Sequence, residues 1–273
     1  MQKALSTLIA SVRATHPGQI LIVTGAGVSH ASGIPTFRGT DKDAIWKRDV
    51  TELGTYRFFS ENPAGSWQWY LSRFDKLEGA RPNPGHLAIT ALERFQLARG
   101  GDFLLVTQNI DTLHEQAGTQ RMIKVHGSSD RYRCSEPDCA LGAPEGSIAA
   151  SEVDLTAFRK EPVEANVPRC PSCGGLLRMH VLWFDEYYAE HRSYGWQAVC
   201  RSAEEDAQLV IFAGTSFSVG VTDLVLRSAR MRNVPIFNID PAPRVSGDGV
   251  MSISAGAEVV LVEVCKALGL AMS

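Results

Sequence analysis

Long hydrophobic segments are missing from this 273-residue sequence. Its longest apolar runs, such as residues 209–213 and 259–262, are far shorter than the roughly 18 residues that a helix needs to cross a bilayer. The first residues also lack the apolar stretch of a secretory signal peptide. We therefore expect no association with membranes, and we expect the protein in the cytoplasm.

An excess of one charge is missing as well. The sequence has 27 lysine and arginine residues against 30 aspartate and glutamate residues, which gives a formal net charge of -3. Nothing in this balance demands a nucleic acid partner. Internal repeats and low-complexity tracts are absent too. A hydrophobic fraction of 44% is typical of a globular protein that is neither disordered nor fibrous.

Short apolar segments separated by helix-compatible stretches predict the fold. The predicted strands are Gln19–Thr24, 103–107, 208–213 and 234–239, and the predicted helices are 4–12, 86–98 and 223–232. The first strand is apolar over most of its length, as expected for a strand that is covered on both faces. Strands that alternate with helices predict an α/β fold with a parallel sheet and crossover connections.

Two stretches interrupt this alternation. Residues 38–84 are rich in aromatic and charged residues, and they include 63–77, which could form a helix that begins at a proline. Residues 131–178 contain four of the six cysteines and show little hydrophobic periodicity. We interpret both stretches as insertions that together form a small lobe over the sheet.

Four cysteines follow the spacing of a metal site. Four residues separate Cys134 from Cys139, two separate Cys170 from Cys173, and thirty lie between the two pairs. Two such pairs can supply four thiolates to one tetrahedral zinc ion. Since a catalytic zinc keeps one coordination position open, four cysteines predict a structural ion. Two disulfides or four unrelated thiols are the alternatives.

A glycine-rich segment follows the first predicted strand. Gly25, Ala26, Gly27 and Ser29 precede helix-compatible residues, which is where a dinucleotide pyrophosphate can approach backbone N–H groups. The strict six-position glycine pattern fails because His30 stands where its last glycine is expected. The segment alone is therefore also compatible with an ordinary tight turn.

Polar residues follow the second predicted strand. Gln108, Asn109 and Asp111 lie at the edge of the sheet where parallel α/β folds bind their ligands. Such side chains can bind ribose hydroxyls and a carboxamide. The alternative is that Asn109 and Asp111 only cap a helix that begins near Thr112.

A histidine follows the short apolar segment 122–125. His126 precedes Gly127 at the end of this segment, where it could act as a base near neutral pH. A single histidine is more often structural, so this assignment depends on the other motifs.

Taken together, the motifs resemble the sirtuin family in identity and in order. The matching segments are 25–39 (GAGVSHASGIPTFRG), 107–111 (TQNID), 126–127 (HG), the two cysteine pairs, 183–186 (WFDE), 214–216 (GTS) and 238–240 (NID). The resemblance implies a single catalytic domain over residues 1–273. Within it, 1–37, 85–130 and 179–273 would form a Rossmann-like NAD-binding part with helices on both faces of the sheet. Residues 38–84 would be a helical insertion and 131–178 a zinc-binding insertion.

The resemblance also implies an activity and the residues that perform it. The activity is NAD-dependent deacylation of lysine in proteins or peptides, which transfers the acyl group to ADP-ribose and releases nicotinamide. His126 would be the general base, and the other catalytic residues would be Gln108, Asn109 and Asp111. The residues implied for NAD are Gly25, Ala26, Gly27, Ser29, Phe37, Arg38, Gln108, Asn109, Ile110, Asp111, Gly214, Thr215, Ser216, Asn238 and Asp240. Those implied for the substrate are Tyr70, Arg73, Val181, Trp183 and Phe184, and those for Zn²⁺ are Cys134, Cys139, Cys170 and Cys173.

The choice of acyl group depends on a pair of residues in the helical insertion. Tyr70 and Arg73 resemble the Tyr-x-x-Arg pair of the sirtuins that remove succinyl and malonyl groups, and at i and i+3 of a helix they could bind one carboxylate. A packed Tyr70 and a solvated Arg73 are the alternative. Asp185 replaces a usual glycine and could oppose an acidic acyl group, and Thr51 replaces a usual alanine and could narrow the pocket. Deacetylation alone, ADP-ribosyl transfer and NAD hydrolysis stay open, and the sequence predicts no oligomeric state.

Overall fold

The computed structural model describes residues 2–35 and 50–272. Its described helices are α1 Gln2–Ala14, α2 Val50–Leu53, α3 Tyr56–Glu61, α4 Pro63–Phe74, α5 Pro84–Ala98, α6 Leu113–Gln116, α7 Thr156–Lys160, α8 Trp196–Arg201, α9 Gly220–Met231 and α10 Ala257–Leu268. Its described strands are β1 Gln19–Thr24, β2 Asp102–Thr107, β3 Met122–Lys124, β4 Gly127–Cys134, β5 Ile148–Ala149, β6 Leu177–Val181, β7 Ala207–Ala213, β8 Ile236–Ile239 and β9 Val250–Ile253.

Six strands form the large sheet, in the order β3-β2-β1-β7-β8-β9. Every neighbouring pair in it is parallel. The predicted parallel α/β sheet is therefore confirmed. Strand β9 was missed, because its short sequence VMSI mixes apolar and polar residues and has no long apolar run. None of the helices within residues 2–35 and 50–272 is long and apolar enough to cross a membrane.

The large sheet is covered on both faces. In β1, Ile20 and Ile22 pack into a core with α1, α5 and α10, whereas Leu21 and Val23 pack into a second core with α8 and α9. Successive side chains of a strand point to opposite faces, so the apolar run in β1 supplies both cores. This burial explains why the sequence of β1 is apolar at nearly every position.

Two helices begin at a proline that follows an asparagine at the N-cap position. Pro63 is the first residue of α4, and the side chain of Asn62 accepts the N–H of Gly65 at 2.8 Å. Pro84 begins α5 in the same way after Asn83. Proline suits a first helical position because the N–H that it lacks would have no partner there. The predicted helix 63–77 starts at the right residue but ends at Phe74.

The small lobe consists of α2–α4, α7 and a three-stranded antiparallel sheet in the order β5-β4-β6. Its core is shared by both insertions, since Phe59, Trp67 and Tyr70 pack with Tyr132 and Leu177. The indole N–H of Trp67 donates to the carbonyl oxygen of Leu177 at 2.7 Å. The two insertions thus form one lobe, as expected, although β4 and β6 extend across the predicted boundaries at 130/131 and 178/179.

Candidate active site

A cavity of about 620 Å³ lies between the large sheet and the small lobe. On one side it is lined by the loops that follow β1, β2, β7 and β8, and on the other by α4 and the end of β6. It opens beside β1 and β7, where the strand order of the large sheet reverses. In open parallel sheets this is the place where ligands bind.

Most of the residues predicted to contact the cofactor line this cavity. They are Gly25, Ala26, Gly27, Ser29, Gln108, Asn109, Ile110, Asp111, Gly214, Thr215, Ser216 and Asp240. Asn238 is fully buried and lies outside the described lining, with its side-chain amide donating to the carbonyl oxygen of Val245 at 3.0 Å. Phe37 and Arg38 fall outside the described residues.

The glycine-rich loop packs directly against the loop after β7. Gly27 N–H donates to the carbonyl oxygen of Gly214 at 2.9 Å. A Cβ atom on Gly27 would lie 2.7 Å from the Cα of Gly214, and one on Gly25 would lie 2.8 Å from the Gly214 oxygen. Gly214 itself has a φ of 60°. The glycines are therefore required for the contact between the two loops, and their approach to a pyrophosphate stays a prediction.

A hydrogen-bonded chain joins the loops after β1 and β2. Asn109 Nδ2 donates to the Ser29 hydroxyl at 3.0 Å and to the carbonyl oxygen of Gly25 at 3.2 Å. The Ser29 hydroxyl in turn donates to Asp111 at 2.9 Å. All three side chains are buried, so this chain fixes polar groups at the floor of the cavity.

The helix-capping alternative for these residues is half correct. One carboxylate oxygen of Asp111 accepts the N–H of Leu113 at 3.1 Å, at the start of α6, while the other accepts from Ser29. Asn109 does not cap this helix, since its amide turns to Gly25 and Ser29. Asp111 thus combines a structural bond with a position at the cavity wall.

His126 is fixed in one tautomer by its neighbour. Its Nδ1 lies 3.0 Å from the carbonyl oxygen of Gln108. Because a carbonyl oxygen only accepts, Nδ1 carries the proton, and the lone pair of Nε2 is left to face the cavity. The side chain of Gln108 is fixed as well, by bonds to the Thr24 carbonyl oxygen and the Thr215 hydroxyl.

The imidazole of His126 is neutral at physiological pH. Burial lowers its pKa from 6.5 to about 4, and the hydrogen bond to the Gln108 backbone opposes this shift only in part. Desolvation disfavours the charged form of histidine, so the direction is expected. A neutral imidazole with an accessible Nε2 can take up a proton from a hydroxyl group of a ligand.

The end of β6 forms the wall of the cavity next to His126. Leu182 N–H donates to the carbonyl oxygen of His126 at 3.0 Å, and Phe184 N–H donates to that of Gly54 at 3.0 Å. The predicted substrate residues Val181, Trp183 and Phe184 all line the cavity, with Trp183 buried and Phe184 exposed. This strand end therefore connects the base to the small lobe.

Tyr70 and Arg73 line the small-lobe side of the cavity, together with Phe74. Tyr70 is buried and stacks on Trp183 with a centroid distance of 6.2 Å, and burial raises the pKa of its hydroxyl. The guanidinium of Arg73 lies 3.7 Å from the ring centroid of Trp69 and donates to the Trp69 carbonyl oxygen at 2.8 Å. Both side chains are thus at the cavity, while the guanidinium rests on its own helix.

Asp185 and Thr51 do not narrow the cavity. The carboxylate of Asp185 accepts the N–H groups of Tyr56 at 2.7 Å and of Arg57 at 3.1 Å, at the start of α3. Neither Asp185 nor Thr51 belongs to the described lining, and Thr51 is exposed. The carboxylate of Asp185 caps a helix in this geometry, and its effect on an acidic acyl group stays a prediction.

A buried ion-pair network supports the cavity wall and was missed by the sequence analysis. Arg133 donates to Glu186 at 3.1 Å, and Arg178 forms two bonds to the same carboxylate. The guanidinium of Arg178 also lies 3.3 Å from the ring centroid of Trp183. The backbone N–H of Trp183 donates to Glu186 at 3.0 Å. Arg178, Trp183 and Glu186 lie within nine residues of one another, but Arg133 is 53 residues before Glu186, so only the structure shows that one carboxylate binds both arginines.

The four cysteines form one cluster in the small lobe. Their sulfur atoms all lie within 4.8 Å of one another, with 3.4 Å between Cys134 and Cys173 and 3.6 Å between Cys139 and Cys170. A tetrahedral zinc ion with bonds of ~2.3 Å places its sulfur ligands about 3.8 Å apart. All four are free thiols rather than disulfides. The cluster is compatible with the predicted zinc ion.

The fold and the cavity define a nucleotide-binding α/β protein with a cysteine-rich lobe, and comparison with known proteins gives its family. Residues 25–221 match the model of the Sir2 family. Since this match covers most of the chain, the protein belongs to the Sir2 family, whose members are the sirtuins.

Related proteins and structures agree with this assignment. A protein of Thermus thermophilus named NAD-dependent protein deacylase is 37% identical over 227 residues, which are 82% of this chain and 80% of that protein. The mitochondrial NAD-dependent protein deacylase sirtuin-5 of Canis lupus familiaris is 34% identical over 242 residues, covering 82% of this chain and 74% of that one. A solved complex of a Sir2 homologue with NAD has a TM-score of 0.78 at 30% identity and covers 97% of this chain and 93% of its own.

Proposed function

We propose that this protein is an NAD-dependent lysine deacylase that transfers the acyl group to ADP-ribose and releases nicotinamide. We further propose that it acts on succinyl- and malonyl-lysine as well as on acetyl-lysine. One observation carries the proposal: His126 presents an unprotonated Nε2 to a cavity between the nucleotide loops and the small lobe. The relatives named as NAD-dependent protein deacylases support it.

The cavity fits a nucleotide on structural grounds. Its volume of about 620 Å³ is in the range of cofactor sites. The crowded glycine backbones and the chain from Asn109 through Ser29 to Asp111 present polar groups where a ribose would lie. When bound, NAD would supply an electrophilic ribose carbon that accepts the acyl oxygen as nicotinamide leaves.

The protein's own residues would position the reactants and move one proton. Gln108, Asn109 and Asp111 would orient the ribose, and the buried wall around Trp183 would exclude water from the reacting atoms. His126 would then take a proton from a ribose hydroxyl through Nε2, which is possible because its imidazole is neutral above a pKa of about 4. This step prepares the hydroxyl to attack the acyl carbon.

The cysteine cluster would act as a structural centre. Four thiolates complete the coordination of one zinc ion, so that no position is left for a substrate or a water molecule. The cluster belongs to the lobe that supports α4 and β6, which form one wall of the cavity. We therefore propose that zinc stabilises this wall and does not take part in the chemistry.

The proposed acyl preference is supported by the residues at the small-lobe end of the cavity. Tyr70 and Arg73 are one helical turn apart on α4, and both line the cavity. A carboxylate at the end of an acyl chain could draw the guanidinium of Arg73 away from Trp69, since a bidentate pair with an opposite charge is stronger than a single bond to a neutral carbonyl oxygen. The carboxylate of Asp185 is engaged in capping α3 and does not belong to the described lining of the cavity.

Product analysis tests the proposed reaction. The protein is incubated with NAD and with matched acetyl-, succinyl- and malonyl-lysine peptides, and nicotinamide, peptide and acyl-ADP-ribose are followed by mass spectrometry. We expect equal amounts of nicotinamide, free-lysine peptide and 2′-O-acyl-ADP-ribose. Nicotinamide released without any dependence on peptide would show NAD hydrolysis instead, and the absence of turnover would contradict the proposal.

Arg73→Met separates the two parts of the proposal. We expect kcat/KM for the succinyl peptide to fall by about 10- to 100-fold, the loss of one charge-assisted pair, while the acetyl peptide is affected less than threefold. Arg81→Met, which removes an exposed arginine before α5, is the matched control. An equal loss on both peptides, or on neither, would reject the role of Arg73 in carboxylate binding.

A further inference from the structure

A tyrosine lies directly beside the proposed base. The hydroxyl oxygen of Tyr188 is 3.4 Å from Nε2 of His126, and the two rings stack with a centroid distance of 5.9 Å and an interplanar angle of 23°. Tyr188 also lines the cavity. The Tyr188 hydroxyl therefore lies next to Nε2, the atom of His126 that must accept a proton in the proposed reaction.

The direction of this hydrogen bond follows from the tautomer of His126. Nδ1 carries the imidazole proton because it bonds to the Gln108 carbonyl oxygen, so Nε2 accepts and the Tyr188 hydroxyl donates. At 3.4 Å the contact is longer than the usual 2.5–3.0 Å for hydroxyl donors, so it is a weak bond. A hydroxyl of a bound ligand could replace it at little cost.

Tyr188 is itself fixed from two sides. Its ring stacks on Trp196 with a centroid distance of 4.2 Å and an angle of 12°. Its hydroxyl oxygen accepts the N–H of Val221 at 3.3 Å, in the first turn of α9. The N-cap residue of α9 is Val219, whose apolar side chain cannot accept this N–H. The tyrosine oxygen thus supplies a cap for the helix that follows the Gly214–Ser216 loop.

We propose that Tyr188 is a positioning residue for the general base, whose hydroxyl keeps Nε2 of His126 directed into the cavity and releases it to a ribose hydroxyl when the nucleotide binds. This inference rests on the proposed function. The bond from Tyr188 stabilises the neutral, lone-pair form of Nε2 and so disfavours protonation before the ribose arrives. Loss of the hydroxyl should favour the protonated imidazole by about two- to tenfold, the effect of one neutral hydrogen bond.

Other charged groups of the cavity are the same in the parent and in the variants. Among residues 2–35 and 50–272 they are Arg73, Asp111, Glu186, Asp240 and Arg244, which line the cavity, and Lys124 on β3, which is engaged by Glu115. A difference between Tyr188→Phe and the parent therefore reports the hydroxyl of Tyr188. Phenylalanine retains the aromatic ring that stacks on Trp196.

Activity measured against pH is the first test, with Tyr187→Phe as a matched control because Tyr187 is 80% exposed. For Tyr188→Phe we expect the acid limb of kcat/KM to move up by roughly 0.3–1 pH unit. Exchange of labelled nicotinamide precedes the step of His126, so we expect it to stay within twofold of the parent. An unchanged acid limb, or equal losses of exchange and deacylation, would overturn the proposal.

A spectroscopic titration tests the same inference without turnover. The imidazole of His126 is followed by NMR in isotopically labelled protein, and the spectrum of His126→Asn assigns its signal. We expect a higher pKa of His126 in Tyr188→Phe than in the parent and in Tyr187→Phe. Equal values would refute the role of Tyr188. If the parent shows no deacylation, the proposed function fails, and this titration still decides whether Tyr188 controls His126.

Discussion

The large part of the molecule and its small lobe position their functional side chains in different ways. In the large part, Gln108, Asn109 and Asp111 follow β2 directly, and hydrogen bonds to the end of β1 and to the loop after it fix them. In the small lobe, Trp183 and Glu186 are placed by side chains from other strands, Arg133 on β4 and Arg178 on β6. The strand order thus builds the nucleotide side of the cavity, whereas a few long-range contacts build the substrate side.

The two parts also differ in the size of their hydrophobic cores, and therefore in how stable we expect each of them to be. The large part has two apolar cores that cover both faces of a six-stranded sheet. The small lobe has one core around a three-stranded sheet and adds a cysteine cluster and a buried ion pair. Small units with little core depend on metals and special contacts for their stability. We therefore expect the lobe to lose its structure first.

Loss of the metal is expected to have the largest effect. Cys170→Ser should release the zinc ion, unfold the small lobe and abolish deacylation, because structural zinc contributes ~10–16 kcal/mol to the folding of small zinc modules. Metal content by mass spectrometry and proteolysis of residues 131–178 measure this change. Cys200→Ser, outside the cluster, should keep one zinc ion per chain. A Cys170→Ser protein with parent-like zinc content would contradict the assignment.

Removal of the proposed base, His126, tests the catalytic role of the large part. His126→Ala should lower deacylation by about 10²- to 10⁴-fold, since this is the usual contribution of a general base. Binding of NAD, measured by calorimetry, should persist because the glycine loops and the chain at Ser29 remain. A variant that deacylates at the parent rate would remove His126 from the mechanism.

The buried ion pairs of Glu186 with Arg133 and Arg178 are expected to stabilise the small lobe. Glu186→Gln leaves the guanidinium groups of Arg133 and Arg178 buried without a carboxylate, and we expect the free energy of unfolding to fall by about 3–5 kcal/mol. Glu190→Gln, at an exposed position, should change it by less than about 0.5 kcal/mol. Denaturant unfolding gives both values. A loss below about 1 kcal/mol for Glu186→Gln would mean that this network does not support the wall.

The smallest expected effect concerns the contact of Asp185 with α3. Asp185→Ala removes the acceptor of the Tyr56 and Arg57 N–H groups, and we expect a loss of about 0.5–2 kcal/mol in the free energy of unfolding. Asp185→Asn should retain part of it, since the amide oxygen still accepts. Hydrogen exchange at these two amides is the direct measurement. Unchanged protection in Asp185→Ala would show that the cap is not formed in solution.

The difference between local patterns and contacts made only on folding explains what could be predicted from the sequence. The strands of the large sheet except β9, the polar residues at their ends and the cysteine cluster follow from local patterns, and the structure places them as expected. The roles of Asp185 and Glu186 could not be predicted, because their partners lie elsewhere in the chain. Tyr188 was missed for the same reason, since only folding brings its hydroxyl to His126. Asn238 lies in the predicted strand, but its side chain bonds to Val245 and does not belong to the described lining of the cavity.

The central claim is that the polar strand ends and His126 surround one nucleotide ribose. A crystal structure of the protein with ADP-ribose tests it most directly. We predict that a ribose hydroxyl lies within hydrogen-bond distance of Nε2 of His126, in place of the Tyr188 hydroxyl, with Asn109 and Asp111 at the same sugar. A ribose bound elsewhere, with His126 still facing only Gln108 and Tyr188, would contradict the claim.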